Sequence, residues 1–198
     1  MIRDPDRRRR TLRLKNYDYA EPAAYFVTIV THDRACLFAR LEADEMRLNQ
    51  LGLVAAEVWL DLPTHYPHVE LDEFVVMPNH LHGIITLLDQ PDVSVDGTET
   101  HLGELPGDGG RAGFKPAPTG GTVRRRQALP EIVRAFKTFS ARRINLARGT
   151  RGTPVWQRGY YEHIIRNDAS LDRIRQYILG NPAAWSNDRE NPFADVTG

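Results

Sequence analysis

The sequence predicts an α+β domain: a ferredoxin-like antiparallel sheet with helices packed on one side and an extra C-terminal helix. Three observations predict it. Short β-branched and aromatic runs alternate with two amphipathic stretches in the order strand, helix, strand, strand, helix, strand. The middle two strand runs are separated only by Pro78-Asn79, a turn signal that makes them a hairpin. A further amphipathic stretch follows the last strand.

The first strand is read at Tyr25-Phe-Val-Thr-Ile-Val-Thr31, which ends at the turn-prone His32-Asp33-Arg34. From Ala43 to Leu62 the apolar residues Leu48, Leu51, Val54, Ala55, Val58, Trp59 and Leu62 recur at spacings of three and four, so one helix is expected there, ended by Pro63. The hairpin comprises Val69 to Met77 and Leu81 to Leu88. Residues 89–123 change to glycine, proline and acids, the composition of a flexible insertion. A second helix is expected from Pro130 to Ala147, with proline in the first turn and Ile132, Val133, Phe136 and Phe139 as its buried stripe. The last strand is Tyr160 to Ile165. A final helix starts near Asp168 or Ser170, buries Leu171, Ile174 and Ile178, and should stop at Gly180 or Asn181 because Pro182 follows. This divides the chain into a basic N-terminal arm over 1–24, one domain over 25–185 interrupted by the insertion, and a tail over 186–198.

Composition narrows the function classes. With 198 residues, one core is expected, and 41% hydrophobic with 26% charged residues is ordinary for a globular protein. The single cysteine, Cys36, excludes an internal disulfide framework and a thiolate zinc cage. The N-terminus lacks the apolar core of a signal peptide, and no run of eighteen apolar residues occurs, so a cytoplasmic protein with no membrane span is expected. Net charge is zero, from 26 basic and 26 acidic residues, but the charges are segregated. Arg7 to Arg10 form one basic cluster. Arg124, Arg125 and Arg126 open another that runs through Arg134, Lys137, Arg142, Arg143, Arg148 and Arg151, with Glu131 as its only acid. Such a surface suits either a polyanion or plain solvent.

The chemical signal is Met77-Pro-Asn-His80-Leu-His82. Side chains alternate along a strand, so His80 and His82 share a face on which two imidazoles can converge on one cation, while Leu81 points into the core. Two ligands do not make a site, and ordinary surface histidines would look the same. On the final helix, Arg173, Tyr177 and Asn181 form a row four residues apart. A phenol ionises only near pH 10 and needs help to act as a nucleophile at neutral pH. Tyr177 is therefore either a nucleophile beside a cation or a packing residue, and Asn181 either a ligand or a helix C-cap. Tyr160, Tyr161 and Trp156 could stack on bases or belong to the sheet core, and His163 is open in the same way.

The motifs Met77-Pro-Asn-His-Leu-His82, Trp156-Gln-Arg-Gly-Tyr-Tyr-Glu-His-Ile-Ile-Arg-Asn167 and Arg173-Ile-Arg-Gln-Tyr177-Ile-Leu-Gly-Asn-Pro182 together resemble the REP-associated tyrosine transposases, relatives of single-tyrosine HUH transposases. The resemblance covers residues 11–185 apart from the insertion. It implies a metal-dependent single-stranded DNA endonuclease and strand-transferase acting on hairpin-forming DNA. His80 and His82 would hold a divalent metal, Mg2+ or Mn2+, with Asn181 as third ligand, and Tyr177 would form a 5′-phosphotyrosine link. Arg124, Arg125, Arg126, Lys137, Arg142 and Arg143 are the expected DNA contacts, and either a monomer or a homodimer fits. No Gly-x-x-x-x-Gly-Lys-Ser/Thr loop is present, as expected for chemistry that needs no ATP. Two rival readings are a metal-dependent hydrolase, for which the chain has too few strand-helix repeats, and a non-catalytic ferredoxin-like nucleic-acid-binding protein descended from a transposase.

Overall fold

The structure, a computed structural model of the chain, describes residues 17–42, 45–89, 127–188 and 191–192. Its sheet contains β1 (Ala23–Val30), β4 (Val69–Val76), β5 (His80–Leu87) and β6 (Tyr161–Ile165) in the spatial order β4-β5-β1-β6, with every neighbouring pair antiparallel. The expected ferredoxin-like order is thus borne out.

The segment between β1 and β4 departs from the single long helix expected. Residues 39–42 and 45–48 instead pair as a small separate hairpin, β2 (Ala39–Glu42) with β3 (Glu45–Leu48). Helix α1 begins only at Gln50 and runs to Leu60. The reason is local. The Asn49 side chain accepts from the amides of Leu51 and Gly52, making it a cap that a mid-helix position would waste. The Leu48 to Leu51 spacing fits a strand end followed by a helix start as well as it fits a continuous helix. Pro63 does not end α1 either. It lies in the first turn of a separate short helix, α2 (Leu62–His65), where a proline needs no amide partner.

Helices α1 and α3 (Leu129–Ala147) cover one face of the sheet. Tyr25, Val27 and Ile29 of β1 and Leu81, Ile85 and Leu87 of β5 meet Trp59 of α1 and Ile132, Val133 and Phe136 of α3 in the main core. Trp59 is fully buried, edge-on to Phe136 at 5.4 Å, and its ring lies over Gly83. Position 83 therefore has no room for a side chain, which a Cβ would drive into that ring. Phe139, expected in the buried stripe of α3, is 53% exposed, and Ser140 and Ile144 are buried instead. Ser140 accepts from the Trp156 indole, so Trp156 belongs to this core.

Helix α4 (Asp168–Ala184), capped by Asn167, lies on the opposite face over a smaller cluster of Phe26, Ile84, Ile165 and Ile178. It continues through Pro182 rather than stopping before it. The missing amide costs only a bond to a carbonyl in the last turn. That turn is held by Trp185, which is buried and whose amide bonds the Pro182 carbonyl. Asn181 is thus helical, one turn beyond Tyr177. Among the described residues, no helix is long and apolar enough to cross a membrane.

Candidate metal and nucleophile site

The alternation of β5 places His80, His82 and Ile84 on the α4 face and Leu81 and Ile85 in the main core. The two imidazole centroids are 4.5 Å apart. Each ring is held by a neighbour through Nδ1. Thr28 is the cross-strand partner of His82 in the β1–β5 register, and its Oγ1 lies 2.8 Å from His82 Nδ1. Asn79 Oδ1 lies 2.8 Å from His80 Nδ1.

The Asn79 contact fixes a tautomer. Asn79 Nδ2 donates to the Arg34 carbonyl, so Oδ1 faces His80 and must accept a proton carried on Nδ1. His80 Nε2 is left as a bare acceptor. The Arg34 carbonyl comes within reach because Asp33 and Arg34 both take left-handed backbone angles, φ 52° and 55°, a tight turn unusual for residues other than glycine.

Helix α4 supplies the remaining side chains. Tyr177 is 52% exposed, and its hydroxyl lies 3.4 Å from His82 Nε2. Phe26 stacks on the His82 ring at 5.3 Å and meets Tyr177 edge-on at 5.9 Å, so one aromatic residue sets the spacing of both. Asn181 is 3% exposed, and Trp185 packs 6.0 Å from His80. Asn181 Oδ1 and His80 Nε2 are both buried acceptors without a hydrogen-bond donor. Burial pushes the His80 imidazole down to about 4, partly opposed by the charge of Asp188. It pushes His82 down to about 3, with His80 adding to the effect. Both rings are neutral at pH 7, the state in which imidazole ligates a metal.

Two buried acceptors, His80 Nε2 and Asn181 Oδ1, together with a second neutral imidazole are donor atoms of the kind a divalent cation takes. Among the described residues, no group of three or more His, Cys, Asp or Glu could hold a metal ion. A third ligand to the histidines would have to be of another type, such as the Asn181 amide oxygen.

The structure therefore brings His80, His82 and Tyr177 together, with Asn181 buried one helical turn beyond Tyr177. It does not bring the described basic residues of α3 to them. Lys137, Arg142 and Arg143 lie on the helix that covers the other face of the sheet. The Lys137 ammonium donates to the carbonyls of Gln157, Arg158 and Gly159, and Arg143 pairs with Glu57 of α1. Burial holds the Lys137 ammonium below the usual lysine range. Arg124, Arg125, Arg126, Arg7 to Arg10 and most of the expected insertion lie outside the described residues.

Sequence reasoning missed Thr28, Phe26, Asp72 and Arg175. Arg175 of α4 grips Asp72 of β4 in a two-pronged pair with its closest contact at 2.6 Å. Asp72 sits where the β4–β5 register shifts between Leu71 and Phe74. Only the strand register exposes these partners. Asn79, by contrast, stood inside the histidine motif.

No family model matches the chain. A Haemophilus influenzae protein of uncharacterised function is 37% identical over 188 residues, covering 91% of this chain and 92% of its own. A solved REP-associated tyrosine transposase bound to a REP hairpin shares the fold at a TM-score of 0.51 and 19% identity, over 86% of this chain and 72% of that one. The fold expected from the motifs is therefore borne out.

Proposed function

Because this chain belongs to one family with the Haemophilus influenzae protein and has the fold of a hairpin-bound REP-associated tyrosine transposase, we propose that it cleaves and rejoins single-stranded DNA that forms hairpins, with Tyr177 as nucleophile. The observation that carries the reading is the Tyr177 hydroxyl at 3.4 Å from His82, beside the two buried acceptors His80 Nε2 and Asn181 Oδ1.

His80, His82 and Asn181 would hold a divalent ion such as Mg2+ or Mn2+. Bound there, the ion would act as a Lewis acid, stabilising negative charge on the phosphate oxygens in the transition state. The protein residues do the rest. Asn79 and Thr28 hold the imidazoles in one orientation, and Phe26 keeps the phenol beside them. The Tyr177 oxygen attacks phosphorus, the bond from phosphorus to the 3′ oxygen breaks, and a 5′-phosphotyrosine forms. The phenol loses one proton and the departing 3′ hydroxyl gains one, so the step is balanced. The covalent link conserves the phosphodiester energy, so the 3′ hydroxyl can reverse the step and rejoin a strand without ATP. Docking of α4 on its own sheet supports a site complete within one chain, and hence activity as a monomer.

The test is incubation of the full chain with hairpin-containing single-stranded DNA and Mn2+ or Mg2+, followed by denaturing electrophoresis. A covalent protein-DNA adduct is expected, lost in Tyr177→Phe. No adduct with either metal, or one that survives Tyr177→Phe, overturns the proposal.

A further inference from the structure

A second cleft, of about 530 Å³, lies along the outer edge of β6 and the start of α4. Tyr161, His163, Arg166, Asn167 and Arg173 line it, together with the buried carboxylate of Glu162. Strand register gives the first two a definite orientation. Tyr161 pairs with Thr28 and His163 with Phe26, so both project onto the face that carries His82 and Tyr177. Glu162, one residue between them, belongs to the opposite side of the strand.

Aromatic rings link the cleft to the nucleophile. Tyr161 meets Phe26 edge-on at 6.3 Å, and Phe26 meets Tyr177 at 5.9 Å, a row of three aromatic rings leading away from the site. Tyr161 is 44% exposed, with ring surface open to solvent. Along the helix, Arg173 stands one turn before Tyr177 on the same face, about 6 Å back along the axis. Arg166 closes the other end of the cleft. Both guanidinium groups are exposed, and neither has an ion-pair or hydrogen-bond partner among the described residues. That contrasts with α3, where Lys137 and Arg143 are engaged by the protein itself and the helix lies behind the sheet.

Resting on the reading of Tyr177 as a nucleophile for single-stranded DNA, we infer that this cleft is the track along which the strand runs beside the scissile phosphate. Arg173 and Arg166 hold consecutive backbone phosphates, and a base stacks on Tyr161. Phosphate contacts carry no sequence information, and every base offers a face for stacking, so the track positions the strand without selecting its sequence. The basic face of α3 is the alternative track, and the experiment separates the two.

The experiment is fluorescence anisotropy of the full chain with labelled single-stranded oligonucleotides of two unrelated sequences. It is run in EDTA so that no cleavage intervenes, over a series of salt concentrations. Arg166→Ala/Arg173→Ala is expected to weaken binding on the order of tenfold for both sequences. It should also lower the slope of log affinity against log salt by about 1.4, the loss of two phosphate contacts. Arg166→Lys/Arg173→Lys should retain the slope. Tyr161→Leu should weaken binding at least about fivefold with the slope unchanged, while Tyr161→Phe keeps wild-type affinity. Wild-type affinity and slope in the double alanine variant overturn the inference, as does an equal loss in Arg134→Ala/Arg142→Ala on α3. The adduct assay is read separately. An adduct with unaltered binding in the cleft variants rejects the track and keeps the nucleophile. Cleft-dependent binding without an adduct does the reverse.

Discussion

Replacing Asp72 with alanine tests how the nucleophile helix is held. Arg175 Nε and Nη2 reach Asp72 Oδ1 and Oδ2 at 3.0 and 2.6 Å, a planar two-pronged contact joining α4 to β4. Freely exposed ion pairs contribute about 0–1 kcal/mol, whereas hydrogen bonds to charged groups in drier settings contribute about 1.5–3 kcal/mol. The side chains here are 22% and 38% exposed, between those limits, so a coupling of about 1.5 kcal/mol is expected. Asp172 also pairs with Arg175, so the guanidinium is not stranded when Asp72 is lost, and the figure should not grow further. Helix α4 otherwise rests on the small cluster of Phe26, Ile84, Ile165 and Ile178, so about 1.5 kcal/mol shifts its docked fraction roughly tenfold. The assay is a double-mutant cycle of Asp72→Ala and Arg175→Ala by urea unfolding, with adduct formation measured on the same proteins. The pair also carries a pH signature. The hydrogen bond from Arg175 holds the Asp72 carboxyl below its ordinary range, so its contribution is present above the unfolded carboxyl's pKa near 3.8 and is lost as pH falls through the lowered folded value. A coupling under about 0.3 kcal/mol at pH 7, or one that does not diminish as pH is lowered below 3.8, would refute the reasoning.

Four further substitutions, two of them paired with a compensating variant, probe the supports of the site and the core. Asn79→Ala and Thr28→Val each release one imidazole Nδ1 and should weaken Mn2+ binding about 10–100-fold by calorimetry, whereas Asn79→Asp keeps an acceptor for His80 and should recover most of it; unchanged affinity in both single variants would count against these residues as orienting groups. Gly83→Ala drives a Cβ into the Trp59 ring and should cost about 1–3 kcal/mol in urea unfolding, relieved by adding Trp59→Phe; a neutral effect would mean that the ring moves freely. Ser140→Ala leaves the buried Trp156 indole N–H without its acceptor and should cost about 1–3 kcal/mol, and equal stability would show another acceptor in reach.

Much of the fold was legible because its signals are local. Alternation over β5 separates His80 and His82 from Leu81 whatever the strand packs against, and the Pro78-Asn79 turn forces a hairpin. Where two local signals compete, the reading fails. Leu48 and Leu51 fit both a helix and a strand boundary, and the Asn49 cap decides between them. Pro182 ends helices on average, but here a buried Trp185 holds the next turn, and Asn181 stays helical and buried one turn beyond Tyr177 because of it.

The sequence alone thus determined the succession of most strands and helices, the shared face of the two histidines and the row from Arg173 to Asn181, since each follows from the period of a strand or helix. Only the tertiary structure decided that α4 lies on the histidine face and α3 behind the sheet, and that Thr28 and Asp72 hold His82 and Arg175. Periodicity places a side chain on a face of its own element. Which element covers that face depends on the summed burial of the whole core, and no single segment encodes it.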